Sequence, residues 1–245
     1  MSVAAGARSR LAFALDYGSL DDARRGAEVV AESVGVLKVG LELFVREGPR
    51  AVAIGQALDR AVFLDLKLHD IPETVERAVA SAIGLGVRYL TLHAGGGPRM
   101  LEAAARRVER ERADLVLLAV TVLTSLDTTD LAAVGVAASP LEHATRLAEL
   151  AVGSGVRGLV CSAAEAAALR ARLGPDPVLV TPGIRPGGHA GKDDQKRVGT
   201  PADAIRAGAS LLVVGRPIRD AADPRLAAKA VLGEVAEALG ETPTP

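Results

Sequence analysis

The sequence has a single cysteine, Cys161, no tryptophan, and only 2% aromatic residues in 245 positions. One thiol excludes an internal disulfide and a cysteine-rich metal cluster, and it suits a reducing compartment. Cys161 ends the apolar run in "GLVCSAAE" and reads as a packed thiol rather than a nucleophile. With so few rings the core must be built from Ala, Val, Leu and Ile, and at 49% hydrophobic residues there is enough for a large one. An excess of either charge is also missing. Twenty-nine basic and 30 acidic residues give a formal net charge of −1, which argues against wholesale binding to nucleic acid or an anionic membrane. Any anion site must therefore be local. No apolar run approaches the ~18 residues needed to span a bilayer, and the N-terminal "MSVAAGARSRLAFALD" has no sustained apolar segment followed by a cleavage pattern. The expectation is a cytoplasmic protein without membrane or nucleic-acid partners.

What is present is a repeat of short apolar runs and longer Ala- and charge-rich segments. The runs are residues 11–16, 35–40, 61–67, 88–93, 114–123, 157–162, 177–182 and 210–215, eight candidate strands. Between them, residues 20–33, 72–85, 141–152 and 163–173 carry apolar side chains at spacings of three and four. Several begin after a capping residue, as in "SLDDARR" and "SAAEAAA", and several end at a glycine, as at Gly86, Gly174 and Gly208. Strands apolar on both faces and alternating with helices indicate an all-parallel sheet, and eight such units predict an α/β protein with a single (β/α)8 (TIM) barrel. No Pro- or Ser-rich linker divides residues 1–245, so one domain is expected, with a frayed tail from about residue 240. An open, doubly wound sheet is the alternative at this point.

Charge falls where such a barrel keeps its active site, at the C-terminal strand ends. The first strand ends at Asp16, the second carries Lys38, and "FLDLKLHDIP" brings Asp65, Lys67 and Asp70. Alternate strand residues point the same way, so Asp65 and Lys67 share a face, and Lys38 can reach it from the neighbouring strand. An alternating array of carboxylates and ammoniums at the barrel mouth is predicted. Buried ion pairs often stabilise no better than an apolar replacement, so function is the simpler reason for this concentration. Across the barrel, "TPGIRPGGHAGKDDQKRVGTPADAI" and "VVGRPI" follow strands seven and eight. That is the usual place in a barrel for a phosphate, held by backbone N–H groups, a helix N-terminus and arginines. Gly183, Gly187, Gly188 and Gly191 suggest a mobile loop there, able to act as a lid, and Gly215 allows close approach of backbone to an anion.

Taken in order, "FALDY", "LKVGLELF", "FLDLKLHDIPETV", "LHAGGG", "VTVLTS", "TPGIRP" with "DDQKRVGTPADAI", and "VVGRPI" resemble the bacterial orotidine 5′-phosphate decarboxylase family. The likeness spans nearly the whole chain. The Asp65, Lys67, Asp70 element is shared with a wider suprafamily whose phospho-sugar decarboxylases and aldolases use Mg²⁺ and carry an acidic residue where this sequence has Lys38. The resemblance implies conversion of orotidine 5′-monophosphate to UMP and CO2, with no cofactor and no metal, by a homodimer whose active sites are completed across the interface. It also implies roles. Asp16 and Lys38 would hold ribose hydroxyls, with Lys38 joining the array, and Asp65 and Lys67 would lie at the pyrimidine carboxylate and C6. Asp70 and Thr74 would reach the partner's site. Thr124 or Ser125 would contact the pyrimidine and Pro182 would line its pocket. Arg185, Gln195, Gly215 and Arg216 would hold phosphate, Gln195 also reaching the base.

Other readings remain at this stage. A metal site from His69, His93 and Asp65 is a rival, though no HxxxH pair or cysteine partner accompanies it. "RRVERER" at residues 106–112 has mixed signs and reads as a solvated helix end. A Mg²⁺-dependent lyase or aldolase and a non-catalytic phosphate-binding barrel are the functional alternatives.

Overall fold

The computed structural model describes residues 3–188 and 199–241. Its strands are β1 (Leu11–Ala14), β2 (Val36–Gly40), β3 (Ala61–Leu68), β4 (Tyr89–His93), β5 (Val116–Val120), β6 (Gly158–Val160), β7 (Val178–Thr181) and β8 (Leu211–Val214). Each pairs in parallel with the next and β1 closes on β8, giving a closed eight-stranded barrel with helices outside. The open-sheet alternative is thereby set aside.

The continuous apolar strands follow from burial on both faces. Ala12, Ala14, Val36, Phe63, Leu118, Val180, Leu211 and Val213 fill the barrel interior. Leu11, Phe13, Leu37, Leu64, Leu90 and Leu92 point outward into the layer shared with the helices. The scarce aromatics are used where bulk is needed. Phe63 and Tyr89 meet edge to face inside the barrel, ring centroids 6.0 Å apart, a pairing worth about 1 kcal/mol beyond the area it buries.

The four expected helices form at Leu20–Val30, Pro72–Gly84, Pro140–Gly153 and Ala163–Leu173. Ser19 accepts the Asp22 N–H at 3.2 Å. Ser139 and Ser162 begin capping boxes with Glu142 and Glu165, each satisfying backbone donors that a helix start leaves unpaired. A helix at Val3–Ser9 was not expected; it packs against Pro224–Ala238, and the Glu241 carboxylate accepts the Ala7 N–H at 3.1 Å. The chain is thus tied down one residue beyond the expected onset of fraying, and residues 242–245 lie outside the described part. The "RRVERER" stretch is also more than a solvated end. From helix Pro98–Arg110, Arg110 and Arg107 donate to the Glu76 carboxylate of helix Pro72–Gly84 at 2.6 and 3.4 Å, and the Arg110 hydrogen bond leads in holding that carboxyl below its usual range. Among the described residues no helix is long and apolar enough to cross a membrane.

One irregularity shapes the site. Along β3 and β4 the register runs Leu64↔Leu90 and then Leu68↔Leu92, so β3 spends three residues where β4 spends one. Lys67, inside this bulge, has φ +51, a left-handed conformation that bulky residues rarely adopt.

Candidate active site

A cavity of about 270 Å³ opens at the C-terminal ends of the strands. Asp16, Lys38, Asp65, Lys67, Thr124, Pro182, Arg185, Gly215 and Arg216 line it, so sequence elements up to 200 positions apart converge as expected. Among the described residues, Ser125 does not, and Asp70 and Thr74, expected to reach a partner's site, do not line this one. Asp70 and Thr74 are exposed and absent from the cavity wall; Asp70 instead accepts the Ile71 N–H at 2.6 Å. Asp70 lies beyond the end of β3, where strand alternation no longer directs its side chain, so within one chain the array is four charges rather than five. Ser125 is exposed and off the wall while its neighbour Thr124 is on it. Gln195, Gly191 and most of the suspected lid fall outside the described residues.

The charges alternate in space. Lys38 Nζ lies 3.4 Å from Asp16 Oδ1 and 3.5 Å from Asp65 Oδ2. Lys67 Nζ donates to both Asp65 oxygens at 2.9 and 3.0 Å, and Thr91 donates to Asp65 Oδ1 at 2.9 Å. Burial pushes the Asp65 carboxyl up, but Lys38, Lys67 and the hydrogen bonds from Lys67 and Thr91 outweigh it and leave the pKa below the usual carboxylate value. Asp65 is therefore ionised at neutral pH although its side chain is only 14% exposed.

Gly40 makes room for this arrangement. It stands opposite Asp65 in the register of β2 and β3, and a Cβ there would lie 3.1 Å from Lys38 Nζ and 3.4 Å from Asp16 Oδ1. In the sequence Gly40 shows only as a strand end, and Thr91 as one Thr in an apolar strand, so neither carries a local signal of this role. Arg219 was missed as well: it donates to the Asp16 carbonyl at 2.8 Å and to Asp220, tying the end of β1 to the segment after β8.

Opposite the charges, Val120, Val122, Val160 and Val180 form an apolar wall, joined by the buried Cys161. Arg185 and Arg216 stand on the β7 and β8 side of the mouth. The helix that Arg216 opens has only four residues, so its dipole is small and an anion there depends on the guanidinium groups and backbone N–H groups. His69 and His93 lie side by side with their rings tilted at 36°, centroids 5.4 Å apart. Burial first, then His69 and Lys67, depress the pKa of His93. Both Asp65 oxygens already face ammonium groups, a poor donor set for a cation, and among the described residues no three of His, Cys, Asp and Glu group as a metal ion's ligands would.

A parallel barrel with alternating ammoniums and carboxylates on one side of its mouth, and arginines and an apolar wall on the rest, has the layout of a β/α-barrel enzyme with a charged substrate. Comparison with known proteins makes this specific. The profile of the orotidine 5'-phosphate decarboxylase / HUMPS family matches residues 9–231. The chain is 55% identical over 222 residues to the orotidine 5'-phosphate decarboxylase of Anaeromyxobacter sp. (strain K), covering 91% of this chain and 96% of that one. It is 52% identical to the enzyme of that name from Chromohalobacter salexigens over 93% of this chain and 96% of the other. The crystal structure of orotidine 5'-phosphate decarboxylase from Lactobacillus acidophilus superposes with a TM-score of 0.80 at 32% identity, covering 93% of this chain and 99% of that one. The chain belongs to the orotidine 5'-phosphate decarboxylase / HUMPS family.

Proposed function

We propose that this protein is a carbon–carbon lyase that decarboxylates orotidine 5′-monophosphate to UMP and CO2, the last step of de novo pyrimidine synthesis, without a metal or organic cofactor. The observation that carries this reading is Lys38, an ammonium lodged between Asp16 and Asp65 at 3.4 and 3.5 Å, where the resemblance gives the related Mg²⁺-dependent members of the wider suprafamily an acidic residue.

Loss of CO2 from C6 breaks a C–C bond and leaves its electron pair in the ring plane, out of reach of the π system. Without an electron sink, fixed charge must stabilise it. The Lys67 ammonium faces the developing carbanion and then gives C6 its proton, acting as general acid and regaining a proton from solvent. At 4 Å and an effective dielectric near 20, one such charge is worth about 4 kcal/mol, so other contributions are required. Asp65 holds negative charge beside the substrate carboxylate, and this repulsion eases as CO2 departs toward the valine wall. Phosphate held by Arg185 and Arg216, with Gln195 and the Gly215 backbone, supplies binding energy remote from the broken bond. Asp16 and Lys38 take the ribose hydroxyls, and Thr124 and Pro182 take the pyrimidine.

The working unit in this reading is a cytoplasmic homodimer. Asp70 and Thr74, turned away from their own cavity, serve the partner's. Exposed apolar side chains on the segments after β2 and β3, Leu41 at 50%, Val45 at 80% and Ile71 at 64%, are what a second copy would cover. The test is the fall in ultraviolet absorbance when orotidine 5′-monophosphate is added to chelator-treated protein. Turnover unaffected by EDTA supports the reading. Activity that vanishes with EDTA and returns with Mg²⁺, or no turnover at all, overturns it.

A further inference from the structure

Thr91, on β4, is 1% exposed and has no part in the reaction as described. It is the one residue of β4 between the pairs Leu64↔Leu90 and Leu68↔Leu92, opposite the three β3 residues Asp65, Leu66 and Lys67. Its Oγ1 accepts the Lys67 backbone N–H at 2.8 Å and donates to Asp65 Oδ1 at 2.9 Å. The direction of this chain of bonds is fixed. The backbone N–H can only donate, so the hydroxyl proton is left for the carboxylate, which must be ionised to accept it alongside Lys67. Lys67 meanwhile sits at φ +51, a conformation that a lysine keeps only where its surroundings hold it.

We propose that Thr91 is the positioning residue of the charge array: its hydroxyl pins the bulge that aims the Lys67 ammonium and at the same time orients the Asp65 carboxylate. One side chain thereby sets the angle between the proton donor and the anion that faces it. This rests on the decarboxylase reading. A valine at position 91 would fill the same space and lose both bonds, leaving a buried N–H unpaired and Asp65 one donor poorer. Asp65 would still face Lys38 from β2, Lys67 from its own strand and His93 from β4, with Asp16 of β1 beyond Lys38.

The experiment compares Thr91→Val and Thr91→Ser with the unaltered protein. In Thr91→Val, kcat should fall by about tenfold to a hundredfold, the loss that displacement of a reacting group brings, while KM changes little because the arginines are untouched. The acid limb of the kcat profile should move to higher pH, since the Asp65 carboxylate has lost a hydrogen bond. Thr91→Ser should recover most of kcat and return the limb. The Asp65 carboxyl is also titrated by carbon-13 NMR in all three proteins, a readout independent of turnover, and should shift upward only in Thr91→Val. If Thr91→Val does not fold, Thr91→Cys, with its weaker donor, replaces it. Unchanged kcat and an unshifted Asp65 titration overturn the proposal, as do equal losses in the valine and serine variants. Should the unaltered protein fail to turn over orotidine 5′-monophosphate, the assigned reaction falls, and the Asp65 titration still decides the role of Thr91.

Discussion

Replacing Lys38 by methionine removes one charge from the array while keeping the length and most of the volume of the side chain. Lys38 Nζ lies 3.5 Å from Asp65 Oδ2, with side chains 12% and 14% exposed. At an effective dielectric near 20 that pair attracts by about 5 kcal/mol before desolvation is subtracted. Asp65 keeps Lys67 and Thr91, so the net loss should sit near the low end for removing one partner of a buried pair, about 3 kcal/mol at pH 7. For a domain of this size that lowers Tm by roughly 6 to 12 °C. The pH dependence gives the sharper test. The native Asp65 pKa is depressed, so its contribution is fully present above the unfolded value of about 3.9 and is lost as pH falls through the native value. Lys38 is the first of the charges that offset burial at Asp65, so in Lys38→Met burial is expected to prevail and the native pKa to rise above the unfolded one. The ionised carboxylate then costs stability at pH 7, and the cost is relieved as the solution is acidified. Thermal melts between pH 4 and 8 should show the largest gap between the two proteins near neutrality and a narrowing gap toward pH 4. A constant gap, or no loss at pH 7, would refute the claim that Lys38 keeps Asp65 charged.

The remaining expectations concern catalysis. Gly40→Ala places a methyl 3.1 Å from Lys38 Nζ and should cut kcat/KM by at least about tenfold with only a small change in Tm; full activity would mean that the ammonium's position is not critical. Arg216→Ala should raise KM strongly with a smaller effect on kcat, and an unchanged KM would move phosphate binding elsewhere. Lys67→Ala and Asp70→Asn proteins, each inactive alone, should regain activity when mixed and allowed to exchange subunits, because one site of the mixed dimer is intact. Mixed dimers that form but stay inactive would count against a shared site.

The barrel was legible because parallel strands buried on both faces leave an unbroken apolar run, and all eight fall within two residues of their expected starts. Capping residues at Ser19 and Ser162 marked helix starts equally well. Asp16, Lys38, Asp65 and Lys67 were legible because charge at the ends of apolar strands has a cost that calls for a use. What could not be read is what depends on departure from regular geometry. A lysine at positive φ carries no local signal, so the bulge in β3 stayed hidden, and with it the reason for Thr91. Gly40 looked like punctuation, since its value lies in the space it leaves for a lysine two residues earlier. Asp70 lies past the strand's last residue, where alternation gives no direction, so only the resemblance assigned it to a partner's site; in this chain it is exposed.

The account's central claim is that the Lys67 ammonium, aimed by the bulge and balanced by Asp65, stabilises and then protonates C6. The most direct measurement is the turnover of orotidine 5′-monophosphate by Lys67→Ala, with its melting curve recorded on the same sample. Turnover lost beyond the roughly 10⁴-fold that general acid catalysis alone supplies, in a protein that still melts cooperatively, is the predicted result. A folded Lys67→Ala protein that decarboxylates the substrate near the unaltered rate would contradict it.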